Sequence, residues 1–139
     1  SVLDDKRLGK QRVEGMQILN TLETGNGWKN HPIVKMWDGH EQWLVMYTVM
    51  ICQEWKQRGF KDTVLDKVLD KYGQFVLEKP VWKPHWLGNP ELHSSHRSNL
   101  LRKDYEHYKQ FNWVESDDMP YLWWTPEKDW YRGESNVIR

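Results

Sequence analysis

The sequence has 139 residues, of which 20 are Lys or Arg and 20 are Asp or Glu, so its formal net charge is zero. That length suits one domain with a buried core, and neutrality excludes an overall basic field, so only local basic clusters could bind nucleic acid. The lone Cys52 excludes a disulfide framework and a cysteine-based zinc site and favours an intracellular protein, in the cytoplasm or nucleoid.

The first predicted helix begins at Asp4 or Asp5 and runs to about Leu22, where Thr24, Gly25, Asn26 and Gly27 signal a loop. At a hundred degrees per residue, one stripe of this helix includes the polar Gln11 and Arg12 among its apolar or small residues, which are Leu8, Gly15, Ile18, Leu19 and Leu22. Because burying an unpaired guanidinium is costly, we expect Arg12 to meet a carboxylate in the interior or an anionic ligand in a cleft.

Three further helices are predicted in the middle of the chain. Pro32 opens a short helix, and Asp38 with Glu41 forms a capping box for a second long helix that ends at Gly59. The expected core positions of this long helix are Trp43, Leu44, Tyr47, Met50, Ile51 and Trp55. Its apolar run is about half the length needed to cross a bilayer, so we expect a core helix and no membrane association. Asp62 caps the next helix, which uses Leu65, Val68, Leu69 and Tyr72 and ends at Gly73.

Residues 78–90 contain three prolines and are predicted to form an extended connector. Asn89 then caps a helix from Pro90 to about Lys103, and Asp104 opens a short turn through Tyr108. Beyond Phe111 the apolar residues keep neither the 3.6-residue period of a helix nor the 2-residue period of a strand. This predicts a Trp-rich irregular segment that packs over the helices. The fold is therefore predicted to be mainly α, a compact helical bundle forming one domain over residues 1–139.

His93, His96 and Arg97 share one face of the predicted helix from Pro90, a pattern that favours an anion site, with Ser94, Ser95 and Asn99 as additional donors. One alternative is a zinc site in which His93 and His96 are joined by His31, His40 or a carboxylate. The other is that these histidines only stabilise neighbouring loops. A basic cleft would form if this helix, with Arg97, Arg102 and Lys103, converged with the basic residues of the first helix, which are Lys6, Arg7, Lys10 and Arg12.

Three motifs carry a resemblance to a known family. They are Leu8-Gly9-Lys10-Gln11-Arg12-Val13-Glu14, Gly25-Asn26-Gly27-Trp28-Lys29-Asn30-His31-Pro32 and Ser95-His96-Arg97-Ser98-Asn99-Leu100-Leu101-Arg102-Lys103-Asp104. Over residues 1 to about 108 the chain resembles a little-characterised bacterial and phage branch grouped with the pyrimidine dimer DNA glycosylases, and it is distantly similar to the phage repair enzymes. The resemblance implies a compact helical domain that cuts the glycosidic bond at ultraviolet-induced dimers and then nicks the abasic strand.

In the phage enzymes an N-terminal α-amine forms an imine with the sugar, and an Arg followed directly by a catalytic Glu lies in the first long helix. The resemblance places that Arg at Arg12, but the next residue is Val13 and the nearest acid is Glu14. Ser1 supplies an α-amine of suitable chemistry if the mature chain begins there. Because members of this branch have a short segment before the helix and the chain begins with Ser, we expect processing or missing upstream sequence.

The leading hypothesis is a DNA repair glycosylase and abasic-site lyase that extrudes a damaged base and uses Arg12, Glu14 and Ser1 as catalytic residues. We expect it to act on damaged duplex DNA as a monomer, with no cofactor or metal. The expected DNA-binding residues are Lys10, Gln11, His31, His93, His96, Arg97, Arg102 and Lys103. Two alternatives stay open: a non-catalytic nucleic-acid-binding module, which the Val13 departure would explain, and a metal-dependent hydrolase built on the histidine cluster.

Overall fold

A computed structural model describes residues 2–133, in which seven α-helices precede one β-hairpin. The helices are α1 (Asp5–Thr24), α2 (Pro32–Trp37), α3 (Glu41–Gln57), α4 (Val64–Tyr72), α5 (Gln74–Leu77), α6 (Pro90–Lys103) and α7 (Tyr105–Tyr108), and a 3₁₀ turn follows at Lys109–Phe111. The strands are β1 (Tyr121–Thr125) and β2 (Asp129–Gly133). The prediction of a mainly α fold is confirmed.

The described chain divides into two compact units, an N-terminal unit of residues 3–84 and a C-terminal unit of residues 85–133. In the N-terminal unit α1 packs along α3, and α4 packs against both helices. In the C-terminal unit α6 packs against β1. The extent of one domain over residues 1–139 stays a prediction.

Local capping signals set most helix boundaries where the sequence predicts them. The Asp4 carboxylate accepts from the N–H of Arg7 at the start of α1, and Gly25 ends this helix with a φ of 73°. Asn89 accepts from the N–H of Leu92 at the start of α6. These bonds satisfy N–H groups that have no partner inside the helix.

The predicted Asp38 cap of the second long helix is wrong. That helix, α3, begins two residues later than the capping box requires, with His40 at the capping position and no side-chain cap bond. Glu41 does reach back, but its carboxylate accepts from the N–H of Gly39 at 3.1 Å. Gly39 has a φ of 83°, a turn that glycine adopts without steric cost and that separates Asp38 from the helix.

The exposed face of α3 also differs from the prediction. Met50 is 66% exposed and Tyr47 is 37% exposed, so neither belongs to the core. In the next helix the predicted core residue Leu69 is 44% exposed. The predicted core residues Leu44 and Ile51 are buried, and the buried side of α3 also carries Gln42, Val45, Thr48 and Cys52. Within the described residues, no helix is both long and apolar enough to cross a membrane.

The hairpin is the element that sequence patterning misses. Its strands pair antiparallel, with Trp123 opposite Tyr131, at a position predicted to be irregular. The inner strand β1 is buried on almost every residue, so it shows no alternation of polar and apolar side chains. Trp123 is only 5% exposed and packs in the core.

Candidate functional site

The Arg12 side chain extends from α1 towards α3 and the start of α4. Its Nη1 donates to Asp62 Oδ1 at 2.6 Å, and the side chains of the two residues are 14% and 1% exposed. The guanidinium carbon lies 4.9 Å from the centroid of the Trp55 ring, and Nε is buried with no hydrogen-bond partner in the described part of the chain. Of the two expectations for Arg12, the structure shows the interior carboxylate.

Asp62 is held as a carboxylate by three donors. Burial opposes its ionisation, but the N–H of Leu65 at 2.7 Å, the Arg12 guanidinium and the N–H of Val64 at 3.2 Å outweigh burial and lower the pKa of Asp62. The Asp62 carboxylate thus accepts from the first N–H groups of α4, the bonding predicted for a capping side chain, although Thr63 occupies the N-cap position. The same carboxylate neutralises Arg12. Burial, with the Asp62 charge, raises the pKa of the Cys52 thiol to about 12, so this thiol is not a nucleophile near neutral pH.

Glu14 belongs to a second group of polar residues, which we call the Glu14 cluster and which contains Gln11, Glu14 and Tyr47. Gln11 and Glu14 are three positions apart and share a face of α1. The Tyr47 hydroxyl on α3 donates to Oε1 of Gln11, and the Tyr47 ring stacks on Trp37 with centroids 6.1 Å apart. Although Tyr47 is exposed as a whole residue, its hydroxyl end is buried, and this burial, with the Glu14 charge, raises the pKa of Tyr47 to about 12, so the hydroxyl stays protonated.

Arg12 and Glu14 do not point the same way, because two residues of helix turn a side chain by about two hundred degrees. Arg12 faces Asp62 and Trp55, whereas the charge of Glu14 contributes, after burial, to the raised pKa of Tyr47. The Glu14 cluster is the accessible part, since Tyr47 is 37% exposed and Lys10, one turn before Glu14, is exposed. Tyr47 is the candidate residue that sequence reasoning missed, because its spacing on α3 matched the apolar core positions.

His31 has a capping role at the start of α2, where its Nδ1 accepts from the N–H of Ile33 at 3.1 Å. Ser1, the predicted source of a nucleophilic amine, lies outside the described residues.

In the C-terminal unit, the candidate anion-binding residues of α6 contact the protein itself. Arg97 binds Glu115 through Nε to Oε1 at 2.8 Å and Nη2 to Oε2 at 3.2 Å. Ser94 donates to the same carboxylate at 3.1 Å. These bonds lower the pKa of Glu115, with the Arg97 hydrogen bond as the largest cause and burial opposing it. Arg97 thus tethers the segment that leads to the hairpin.

The two α6 histidines are held in the neutral form by their surroundings. His93 Nε2 accepts from the N–H of Gly88 at 3.0 Å, and burial, with the Arg97 charge, lowers the His93 pKa. His96 packs edge-on to Tyr121 with centroids 5.1 Å apart. Burial, with the charges of His93 and Lys103, lowers its pKa to about 4. Neutral imidazoles are weaker anion ligands than imidazolium ions, which weakens the anion site predicted for this face.

The end of α6 keeps its two cations at the surface. Arg102 Nη1 donates to the carbonyl of Asp117 at 3.1 Å, and Lys103 Nζ donates to the Tyr121 hydroxyl at 3.1 Å. Both residues are exposed, so each could exchange this bond for a phosphate. No group of three or more His, Cys, Asp or Glu residues suited to a metal occurs in the described ranges, which leaves the zinc alternative without support.

The predicted donors Ser95 and Asn99 have structural partners. Ser95 Oγ accepts from the N–H of Leu122 at 3.1 Å, and Asn99 Nδ2 donates to the carbonyls of Ser95 at 2.7 Å and Met119 at 3.2 Å. Ser95 and Asn99 are fully buried. This polar row joins the hairpin to α6 and has no access to a ligand.

Comparison with known proteins supports the resemblance for the first half of the chain. A family model described as pyrimidine dimer DNA glycosylase matches residues 1–68, which supports a pyrimidine dimer glycosylase-like family. The match includes α1, α2 and α3 and the Asp62 cap of α4, but not α6. No curated protein and no solved structure matches the chain.

Proposed function

We propose that this protein is a DNA repair glycosylase and abasic-site lyase that acts on pyrimidine dimer-type damage in duplex DNA through an imine intermediate. The observation that carries the proposal is the family match over residues 1–68, because that range contains the Glu14 cluster and the Arg12–Asp62 pair. The proposal includes action as a monomer inside the cell, without a cofactor.

The reaction needs an amine, a carboxylate and an extruded nucleotide. The amine attacks C1′ of the sugar, and the base leaves with the electron pair of the glycosidic bond. The nitrogen then loses a proton, and the C1′–O4′ bond breaks as O4′ takes up a proton, which opens the sugar ring and gives the imine. A carboxylate stabilises the positive charge that develops on the sugar and then removes a proton from C2′, so that the 3′ phosphate leaves by elimination. Water finally releases the sugar from the amine.

We assign the carboxylate role to Glu14. It lies on α1 three positions after Gln11, and after burial its charge is the next cause that raises the pKa of the Tyr47 hydroxyl, which donates to Gln11. Ser1 is the proposed amine, since an α-amine has a pKa of about 8. Lys10 is the alternative amine because it lies one turn before Glu14 on the same face of α1.

Arg12 receives a positioning role in this proposal. Its bond to Asp62 and its packing over Trp55 hold α1 against α3 and α4, so Arg12 orients the helix that presents Glu14. Lys10, Gln11 and His31 in the N-terminal unit, and His93, His96, Arg97, Arg102 and Lys103 in the C-terminal unit, stay proposed DNA-binding residues. Among these, the exposed Lys10, Arg102 and Lys103 are best suited to phosphates.

Borohydride trapping on duplex DNA with an abasic site or an ultraviolet dimer tests the proposal. The chain from Ser1 and any longer natural form are each incubated with the DNA, and a covalent adduct is expected from the form that carries the amine. Glu14→Gln should lower the trapping rate by about a hundredfold, the usual size of a general base contribution. The matched control is Glu23→Gln, a 49% exposed carboxylate on the same helix, which should trap at the wild-type rate.

The absence of an adduct from every form would contradict the imine mechanism. Binding of DNA with a steep salt dependence in that case would favour the second candidate, a non-catalytic nucleic-acid-binding module. The observation behind this candidate is Val13, which stands where the phage enzymes carry their catalytic Glu.

A further inference from the structure

Trp82 is an almost fully exposed tryptophan in the segment of residues 78–84, which joins α5 to the end of the N-terminal unit. Its side chain is 93% exposed, and no hydrogen bond or ring contact involves it within residues 2–133. Exposing a large aromatic surface to water is unfavourable. Tryptophan is enriched at binding interfaces, where a partner covers its large apolar surface.

The backbone around Trp82 is held in place by α3. The Gln42 side chain is buried, and its Nε2 lies 2.9 Å from the carbonyl of Phe75, 3.2 Å from that of Glu78 and 3.3 Å from that of Lys79. Gln42 Oε1 accepts from the N–H of Val81 at 3.1 Å. One buried side chain therefore contacts the segment at three backbone positions and the preceding helix α5 at a fourth.

Two further contacts hold the backbone before and after Trp82. Trp43 Nε1 donates to the carbonyl of Val81 at 3.0 Å, and Pro84 is fully buried. Pro80 and Pro84 also restrict the backbone of the segment, because the proline ring fixes φ. Trp82 is thus presented by a backbone that is already ordered, which lowers the entropy cost of using it in binding.

The charges beside Trp82 favour a polyanion. Lys79 and Lys83 flank it and are both exposed, and the one acid of the segment is Glu78. Lysines next to an exposed aromatic ring match nucleic acid, since the ammonium groups bind phosphates while the ring stacks on a base.

We infer that Trp82 stacks within duplex DNA at the gap left by an extruded nucleotide, while Lys79 and Lys83 bind the adjacent phosphates. The inference rests on the proposed function, because only a protein that extrudes a nucleotide creates such a gap. Insertion of an apolar side chain between base steps offsets part of the lost stacking. The Trp82 ring replaces the missing base, and the Gln42 anchor keeps it at the right place.

Equilibrium binding to two short duplexes tests this inference, one with a central stable abasic-site analogue and one undamaged. Trp82→Ala should bind the abasic duplex about tenfold to a hundredfold more weakly, as expected for loss of one stacked base, and the undamaged duplex nearly as well as wild type. Trp82→Phe should recover most of the affinity. Leu77→Ala removes an 87% exposed apolar side chain from the same unit and serves as the matched control, with wild-type binding expected.

The lysines give a different readout. Lys79→Ala and Lys83→Ala should weaken binding to both duplexes alike, and each should reduce the slope of log affinity against log salt by about one. Because both lysines and Trp82 are exposed, thermal unfolding of each variant should match that of wild type.

Each outcome separates this inference from the proposed function. If wild type binds and traps abasic DNA but Trp82→Ala binds it equally well, the Trp82 role is overturned and the proposed function stands. If wild type binds neither duplex, both are overturned. Weaker binding of Trp82→Ala to vesicles of phosphatidylserine and phosphatidylcholine, with unchanged DNA affinity, would instead assign Trp82 to a lipid surface and overturn the inference.

Discussion

Arg12 donates a 2.6 Å hydrogen bond to Asp62, and this ion pair joins residues 50 positions apart in the sequence. The pair is nearly removed from water, since the two side chains are 14% and 1% exposed. Loss of one partner from such a pair leaves the other charge buried and uncompensated. The bond therefore couples the stability of α1 to that of the start of α4.

Asp62→Asn should lower the free energy of unfolding by about 3 kcal/mol, because it leaves the Arg12 charge without its counterion. Asparagine keeps one accepting oxygen, so it can hold the N–H of Leu65 or that of Val64, which bind different oxygens of Asp62, but not both. The loss therefore combines the ion pair with one of the two bonds to the start of α4. Urea unfolding, followed by circular dichroism, measures it.

The control is Asp5→Asn, which removes the exposed partner of Arg58. Asp5 is 63% exposed and its bond to Arg58 is 2.9 Å long, so the expected loss is below about 1 kcal/mol. Equal losses for Asp5→Asn and Asp62→Asn would show that the buried pair contributes no more than an ordinary surface pair.

Gly15→Ala should destabilise the protein by about 2 kcal/mol, although alanine favours helix over glycine by about 1 kcal/mol. A Cβ at Gly15 would lie 2.2 Å from Thr48 Oγ1 and 3.0 Å from Thr48 Cγ2. Thr48 is fully buried and donates to the carbonyl of Leu44, so it has little room to move. Thermal and urea unfolding measure the change.

A double variant tests the cause of that loss. Gly15→Ala combined with Thr48→Ala should be more stable than the sum of the single changes predicts, since the second substitution removes the atoms in the way. Strictly additive losses would argue that close packing of α1 on α3 at this point is not the cause.

Stability should fall with pH between about 6.5 and 4 because of His96. Burial lowers the pKa of His96 to about 4 in the folded protein, whereas the unfolded chain has the ordinary value of about 6.5. Below pH 6.5 the unfolded state therefore binds a proton that the folded state resists. The His96 contribution is complete above about pH 6.5 and is lost as pH falls towards 4, by up to about 3 kcal/mol.

His96→Phe keeps a ring against Tyr121 and should flatten the pH dependence of unfolding in that window. A smaller slope should remain, because burial and Arg97 also lower the pKa of His93. Urea unfolding at a series of pH values gives the slope, and an NMR titration of the His96 ring gives its pKa directly. An unchanged slope in His96→Phe would mean that His96 has the same pKa in the folded and the unfolded protein.

Gln42→Leu should loosen residues 78–84 as a unit. The substitution removes the amide that contacts the carbonyls of Phe75, Glu78 and Lys79 and the acceptor for the Val81 N–H. We expect faster hydrogen exchange at Val81 and a stability loss of about 2 kcal/mol from unsatisfied buried groups. The matched control is Gln53→Leu, an exposed glutamine on the same helix, which should leave exchange at Val81 unchanged.

Helix boundaries were the most predictable part of the fold. Asp4, Pro32, Asn89 and Gly25 act on backbone groups within three or four residues, so their effect is written in the local sequence. The Asp38 cap was wrong because Gly39, with its φ of 83°, placed a turn between Asp38 and α3. The hairpin was missed because β1 is buried on both faces and shows no alternation.

The sequence by itself determined the helical class, the caps and the requirement that Arg12 find a negative partner, since propensity and burial cost act residue by residue. Only the tertiary structure decided that this partner is Asp62 and that Arg97 binds Glu115. It also decided that Tyr47 is buried near enough to Glu14 for burial and the Glu14 charge to raise its pKa. Each of these pairs joins different parts of the chain. Which distant groups meet depends on how the elements pack, and no short-range pattern in the sequence carries that information.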